Sequence, residues 1–190
     1  MPKEDYAIVL DFLPTGYPNA YSNEPIAQAV GTKYFTLLEL VARPGVNLLL
    51  QQKVYIGPEE RKEIMRIKGR LSYAKLTHTA QKELESAIEK IIKEDEKRFV
   101  DFFNRAGPVT IRMHSLELLP GIGKKHMEDI LREREKKPFE SFEDLSNRVK
   151  LLPDPIKILK ERIIMEIKGE AKYYIFARSP ERNLPRRGRR

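Results

Sequence analysis

Eight consecutive residues, Leu118-Leu119-Pro120-Gly121-Ile122-Gly123-Lys124-Lys125, form the sharpest chemical signal in the chain. Two glycines flanking one apolar residue allow a tight turn through backbone conformations closed to other residues, and a close approach of main chain to a ligand. Apolar residues at Met127, Ile130 and Leu131 then recur at helical spacing, so the turn feeds a helix N-terminus. Unpaired N–H groups and the positive end of the helix dipole at such a terminus suit a phosphate oxygen without reading any base. Lys124 and Lys125 add charge beside it, which makes Leu119, Pro120, Gly121, Ile122, Gly123, Lys124 and Lys125 one candidate contact set.

A second set mixes cations with aromatic rings. Lys68, Arg70, Lys75 and Tyr73, with Lys33, Tyr34 and Arg43, suit a sheet face that tracks a sugar–phosphate backbone and stacks bases. Tyr17 and Tyr21 offer two more rings in a loop. The terminal run holding Arg186, Arg187, Arg189 and Arg190 belongs to a basic tail, residues 178–190, read as disordered and drawn to phosphates in a salt-sensitive way. That tail carries +5 of the formal net charge of +8.

Other chemistry is thinly represented. With no cysteine, disulfides, thiolate metal sites and cysteine nucleophiles are excluded, and a reducing compartment, the cytoplasm, is expected. His78, His114 and His126 lack metal-site spacing, so neither a metal nor a cofactor is expected. No apolar run reaches the roughly 20 residues of a membrane span.

The elements that must position these residues fall into two domains, 1–76 and 77–168. Tyr6–Leu13 reads as a buried strand, and residues 14–31 as a long loop with one helical turn from Pro25. Lys33–Ala42 and Asn47–Ile56 read as a hairpin around Arg43-Pro44-Gly45, followed by a short helix from Pro58 to about Met65 and a strand over Arg66–Leu76. This order suits a small β-barrel of the oligonucleotide/oligosaccharide-binding (OB) type. One strand is missing from it, and Ala171–Ala177 (AKYYIFA) is expected to return and supply it. From Thr77 the apolar period becomes helical through Leu84, Ile88, Ile91, Phe99, Phe102 and Ala106, capped by Thr77 or Thr79 and interrupted at Asp95.

The helical half contains a duplication. Residues 99–106 match 142–149 at an offset of 43, and Leu118-Leu119-Pro120 matches Leu151-Leu152-Pro153 at an offset of 33. An insertion between Gly107 and about Leu116 accounts for the difference. The second copy has Asp154-Pro155 in place of the glycine turn, suited to starting a last helix rather than to holding phosphate, and Ser141 with Asp144 suits the start of the helix before it.

The glycine turn resembles the hairpin of the helix-hairpin-helix family, and the duplication makes a tandem pair. The whole pattern, an α+β chain with an OB-like barrel followed by an all-α tandem unit, resembles an uncharacterised archaeal family assigned to RNA binding. The resemblance implies a non-catalytic nucleic-acid binder, RNA before DNA, with both halves facing one phosphate track; it also implies that main-chain carbonyls of the turn can hold a monovalent ion. Two other readings compete. Some repair glycosylases and lyases use this hairpin with a downstream aspartate, for which Asp144 is the nearest candidate. Alternatively, the paired hairpins dock on a protein of a ribosome or repair complex.

Overall fold

The computed structural model describes residues 3–180. It divides into two compact units, one comprising residues up to Ala87 together with those from Met165 onward, the other Ile88–Ile164. The fold is mixed α+β, with a curled five-stranded antiparallel sheet and five α-helices among the described residues.

The first unit is built on β1 (Tyr6–Leu13), β2 (Ile26–Gly31), β3 (Leu37–Ala42), β4 (Lys53–Tyr55) and β5 (Ile64–Arg70). They run in the order β4-β1-β2-β3-β5, every neighbouring pair antiparallel. Ala7, Val9, Ala27, Ala29, Leu38, Leu40, Val54 and Ile64 form the core on the concave side.

Six expectations change here. The hairpin expected around Arg43-Pro44-Gly45 does not form, since β4 pairs with β1 while β3 pairs with β2 and β5. The strand expected over Arg66–Leu76 is Ile64–Arg70, and Tyr73–Lys75 is a 3-10 turn. Residues 26–31 form a strand rather than a loop, buried along its whole length. Its Ala-rich sequence carries little intrinsic strand preference, so its central place between β1 and β3 decides its state. The run Asn47–Ile56 contracts to Lys53–Tyr55, because Gln51 turns through a left-handed backbone (φ 68°) while its N–H donates to the Val9 carbonyl and the Val9 N–H donates to the Gln52 carbonyl. No helix forms between Pro58 and Met65: the Arg61 side chain bonds the Gly57 carbonyl, the Glu59 N–H donates to the Tyr55 hydroxyl, and Ile64 already enters β5. Finally, Ala171–Ala177 contains no strand. The N–H groups of Ile175, Phe176 and Ala177 all converge on Glu166 Oε1 at 2.6, 3.0 and 3.4 Å. Three consecutive amides aimed at one oxygen cannot also alternate between two strand neighbours. The missing strand of the sheet is β2.

Helices α1 (His78–Glu94) and α2 (Glu96–Arg105) replace one long helix, broken at Asp95 as its place on the apolar stripe suggests. Thr77 Oγ1 caps α1 by accepting from the Ala80 N–H at 3.1 Å. In the second unit the insertion folds as a small hairpin, β6 (Pro108–Thr110) and β7 (Met113–His114), leading into a 3-10 turn at Ser115–Leu118. Helices α3 (Lys124–Lys136), α4 (Phe142–Arg148) and α5 (Pro155–Ile167) follow. No helix among the described residues is long and apolar enough to cross a membrane.

Candidate functional site

Leu116, Leu119 and Ile122 are buried, and these three anchors set the path of the glycine turn between them. Gly121 sits at φ +79°, where a side chain is strained, and a Cβ there would lie 3.2 Å from Pro153. Gly123, at φ −94°, is the N-cap of α3, and a Cβ on it would meet nothing within 4 Å. Glycine at this cap brings no side-chain acceptor, and the first turn of α3 carries no acid. The leading amides of α3 therefore face solvent beside the exposed Lys124 and Lys125, an arrangement that favours an incoming anion.

The approach to this turn is held by His114. Its Nδ1 accepts from the Leu116 N–H at 3.1 Å, while its own N–H donates to Glu117 Oε2 at 3.0 Å. From the other side, Arg162 donates to the Leu118 carbonyl at 3.3 Å. Burial, reinforced by the nearby Arg134 guanidinium and opposed by Glu117, lowers the His114 pKa below its ordinary value of 6.5. The native state thus binds fewer protons at this imidazole than the unfolded chain, and its contribution is lost as pH falls below about 6.5. Accordingly, His114→Asn, which retains an acceptor without titrating, should reduce the loss of stability between pH 7 and pH 5 in urea melts. An unchanged pH dependence would exclude His114 as its source.

The second turn shows how the duplication diverged. The helix ends Ala106 and Val149 agree with the first match, since each is the C-cap of its helix. The later match shifts: the residue with Gly121's left-handed backbone is Leu151 (φ 60°), and Asp154 takes the capping place of Gly123. Asp154 Oδ1 accepts from the Ile156 N–H at 3.0 Å, so its own carboxylate occupies the amides that an anion would need. Leu151 is 91% exposed and gains little from packing. Leu151→Asn, which tolerates this backbone, should stabilise the protein by about 0.5–1 kcal/mol in thermal melts; destabilisation would show that the leucine makes a contact of its own.

Asp144 is committed to structure. Its Oδ2 accepts from the Glu140 N–H at 3.0 Å and pairs with Arg148 at 3.2 Å, while Ser141 Oγ accepts the Asp144 N–H at 2.9 Å. The hydrogen bond from Glu140, against a smaller effect of burial and helped by Arg148, keeps its carboxyl below the ordinary range. A carboxylate whose basicity is reduced by a hydrogen bond and an ion pair within its own helix start is a poor general base.

The basic–aromatic set divides. Lys33 lies over the Tyr34 ring at 5.5 Å, as does the Arg178 guanidinium at 5.4 Å. Arg70 and Tyr73 line a small cavity together with Lys168 and Arg178, and the Lys168 ammonium sits 5.1 Å from the Tyr73 ring centroid. These residues gather in one place. Lys68 is instead paired with Glu39 at 3.2 Å, Arg43 is tied to the Arg61 carbonyl at 2.8 Å, and Lys75 stands exposed at the end of the 3-10 turn Tyr73–Lys75. Tyr17 is held by Gln28 and Glu39, while Tyr21 is fully exposed. Arg186, Arg187, Arg189 and Arg190 lie outside the described residues. The sequence placed Arg178 only in the basic tail 178–190, and Lys168, Lys172 and Tyr173 were not singled out, a strand reading of 171–177 setting Lys172 and Tyr173 on opposite faces. The only available signal was the aromatic pair Tyr173-Tyr174 beside lysine.

The family model described as a protein of unknown function, DUF655, matches residues 3–178. The chain belongs to the DUF655 family. An uncharacterized protein of Methanocaldococcus jannaschii is 43% identical over 177 residues, covering 92% of this chain and 80% of that protein. The crystal structure of Af1531 from Archaeoglobus fulgidus, also assigned to DUF655, superposes with a TM-score of 0.84 at 52% identity, over 92% of this chain and all of that one. The fold of this DUF655 member is therefore shared with archaeal relatives.

Proposed function

We propose that the protein is a non-catalytic nucleic-acid-binding protein that grips the phosphate backbone at the turn Leu119–Lys125, with RNA the favoured ligand. The observation that carries this reading is the exposed, uncapped start of α3, flanked by two lysines and free of acids in its first turn. Such a site holds a phosphate oxygen with main-chain donors, which gives affinity without base readout. The turn and its helices support a helix-hairpin-helix reading, with the second, Asp154-capped copy serving the structure of the unit. Five antiparallel strands in an open curl support an OB-like reading of the first unit.

The engagement of Asp144 weighs against the glycosylase reading, because that carboxylate already serves its own helix. The test is binding of labelled RNA and DNA duplexes to the full chain across a salt series. Affinity should fall steeply with salt, with a logarithmic slope near −0.9 for each phosphate neutralised. Absence of binding at low salt, or association insensitive to salt, would overturn the reading and favour docking to a protein.

A further inference from the structure

Three concave surfaces in the first unit share Arg178; one, of about 510 Å³, is lined by Glu4 and Asp5 as well as Thr36, and the other two are free of acids. The larger of these two, of about 490 Å³, is lined by Tyr34, Lys172, Tyr173, Tyr174 and Phe176 as well as Arg178. The smaller, of about 90 Å³, is lined by Thr36, Arg70, Tyr73, Lys168 and Arg178 among others. Rings and cations are already interleaved here, with Arg178 against Tyr34, Lys172 against Tyr173 at 5.4 Å, and Lys168 against Tyr73.

Thr36 supplies an independent observation. The residue is 5% exposed, and its Oγ1 has no hydrogen-bond partner. A buried hydroxyl left unsatisfied is uncommon, and Thr36 borders this smaller cavity as well as the one that carries Glu4 and Asp5. We propose that the Arg178 surface is a second nucleic-acid site, separate from the glycine turn, that takes an unpaired nucleotide: the phosphate between Arg70 and Arg178, the base against the tyrosines of the larger acid-free cavity.

The chemistry selects this ligand class. A phosphate uses the planar donors of arginine in pairs and relieves the crowding of two like charges. Burial, followed by repulsion from Arg178 and opposed by Glu4, lowers the pKa of Arg70, as expected for two guanidiniums sharing a site. The Glu4 carboxylate itself is occupied by the N–H groups of Lys33, Tyr34 and Thr36 at 2.9, 2.8 and 3.3 Å. Tyr34, Tyr173 and Tyr174 are half-buried, and aromatic rings at a surface stack on a splayed base, whereas bases paired within a duplex have no free face to offer. This inference rests on the reading of the protein as a nucleic-acid binder but uses different residues, so the two can fail separately.

The test measures anisotropy of a labelled oligouridylate of about eight nucleotides and of a labelled blunt RNA duplex, each titrated with the full chain. Arg178→Gln and Tyr173→Ala should each weaken the single strand about tenfold and the duplex less than about twofold, while Tyr173→Phe retains single-strand affinity. Gly123→Asp should do the reverse. The Arg178 N–H, which bonds the Tyr34 carbonyl at 3.0 Å, persists in Arg178→Gln. Should that variant nonetheless melt early, photo-crosslinking of an iodouridine-bearing strand to the unmodified protein decides: labelling of Tyr34, Tyr173 or Tyr174 upholds the site, and labelling confined to other residues overturns it. Unchanged single-strand affinity in a folded Arg178→Gln, or equal losses for both ligands, also overturns it. Loss of the duplex response alone to Gly123→Asp would sink the glycine-turn reading and leave this one standing.

Discussion

Gly123→Asp should lower duplex affinity at least about tenfold while raising the melting temperature, two effects of opposite sign from one side chain. The position makes this separation possible. Its φ of −94° suits any residue, a Cβ there meets nothing within 4 Å, and the helix it begins has no side-chain cap. An aspartate would accept from the first-turn amides and complement the helix dipole, for a gain of roughly 0.5–1 kcal/mol over glycine. The same carboxylate would fill the anion's place and repel phosphate. Asp154 already shows this arrangement at the start of α5. A matched pair of measurements, melting temperature and duplex titration at low salt, checks the prediction; a stabilised protein with intact duplex affinity would remove the turn from the interface. Gly121 is the poorer probe, since any side chain there meets both a left-handed backbone and Pro153.

Gln28→Leu is expected to cost about 3–5 kcal/mol, a fall in melting temperature of roughly 10 °C. Gln28 is 0% exposed in the middle of β2. Its Nε2 donates to the Lys75 carbonyl at 3.1 Å and to the Tyr17 hydroxyl at 3.0 Å, and its Oε1 accepts the Thr77 N–H at 2.8 Å. Leucine is near it in size, so packing changes little, yet the Lys75 carbonyl and the Thr77 N–H lose this partner and the Tyr17 hydroxyl keeps only Glu39. The penalty of leaving such groups unmade exceeds the modest net worth of the bonds themselves. Urea denaturation followed by circular dichroism measures it, and a loss below about 1 kcal/mol would mean that water or neighbouring groups replace the amide.

The strand β2 that depends on this glutamine was also the element hardest to read. Its residues, Ile-Ala-Gln-Ala-Val-Gly, show neither alternation nor β-branched density, and the loop before it is full of turn residues. Only neighbours on both sides, β1 and β3, make it a strand. The error over Ala171–Ala177 has the opposite origin. There the local sequence favours a strand, and the Glu166 carboxylate outweighs that preference by collecting three amides. Because that segment is not a strand, Tyr173, Lys172 and Arg178 come to line one surface.

Local chemistry was legible at the turns, caps and breaks, though not at Pro58–Met65, where the Arg61 and Tyr55 side chains hold the chain out of a helix. The glycine turn, the Thr77, Ser141 and Asp154 caps, the break at Asp95 and the insertion before Ser115 all depend on backbone freedom or on hydrogen bonds spanning a few residues. What only the tertiary structure decided was pairing between distant parts: the place of β2, the curl of residues 171–177 and the union of Arg70 with Arg178. Such pairings are set by burial and by buried donors finding acceptors far along the chain, as Gln28 does with Thr77, and a linear pattern carries little record of them.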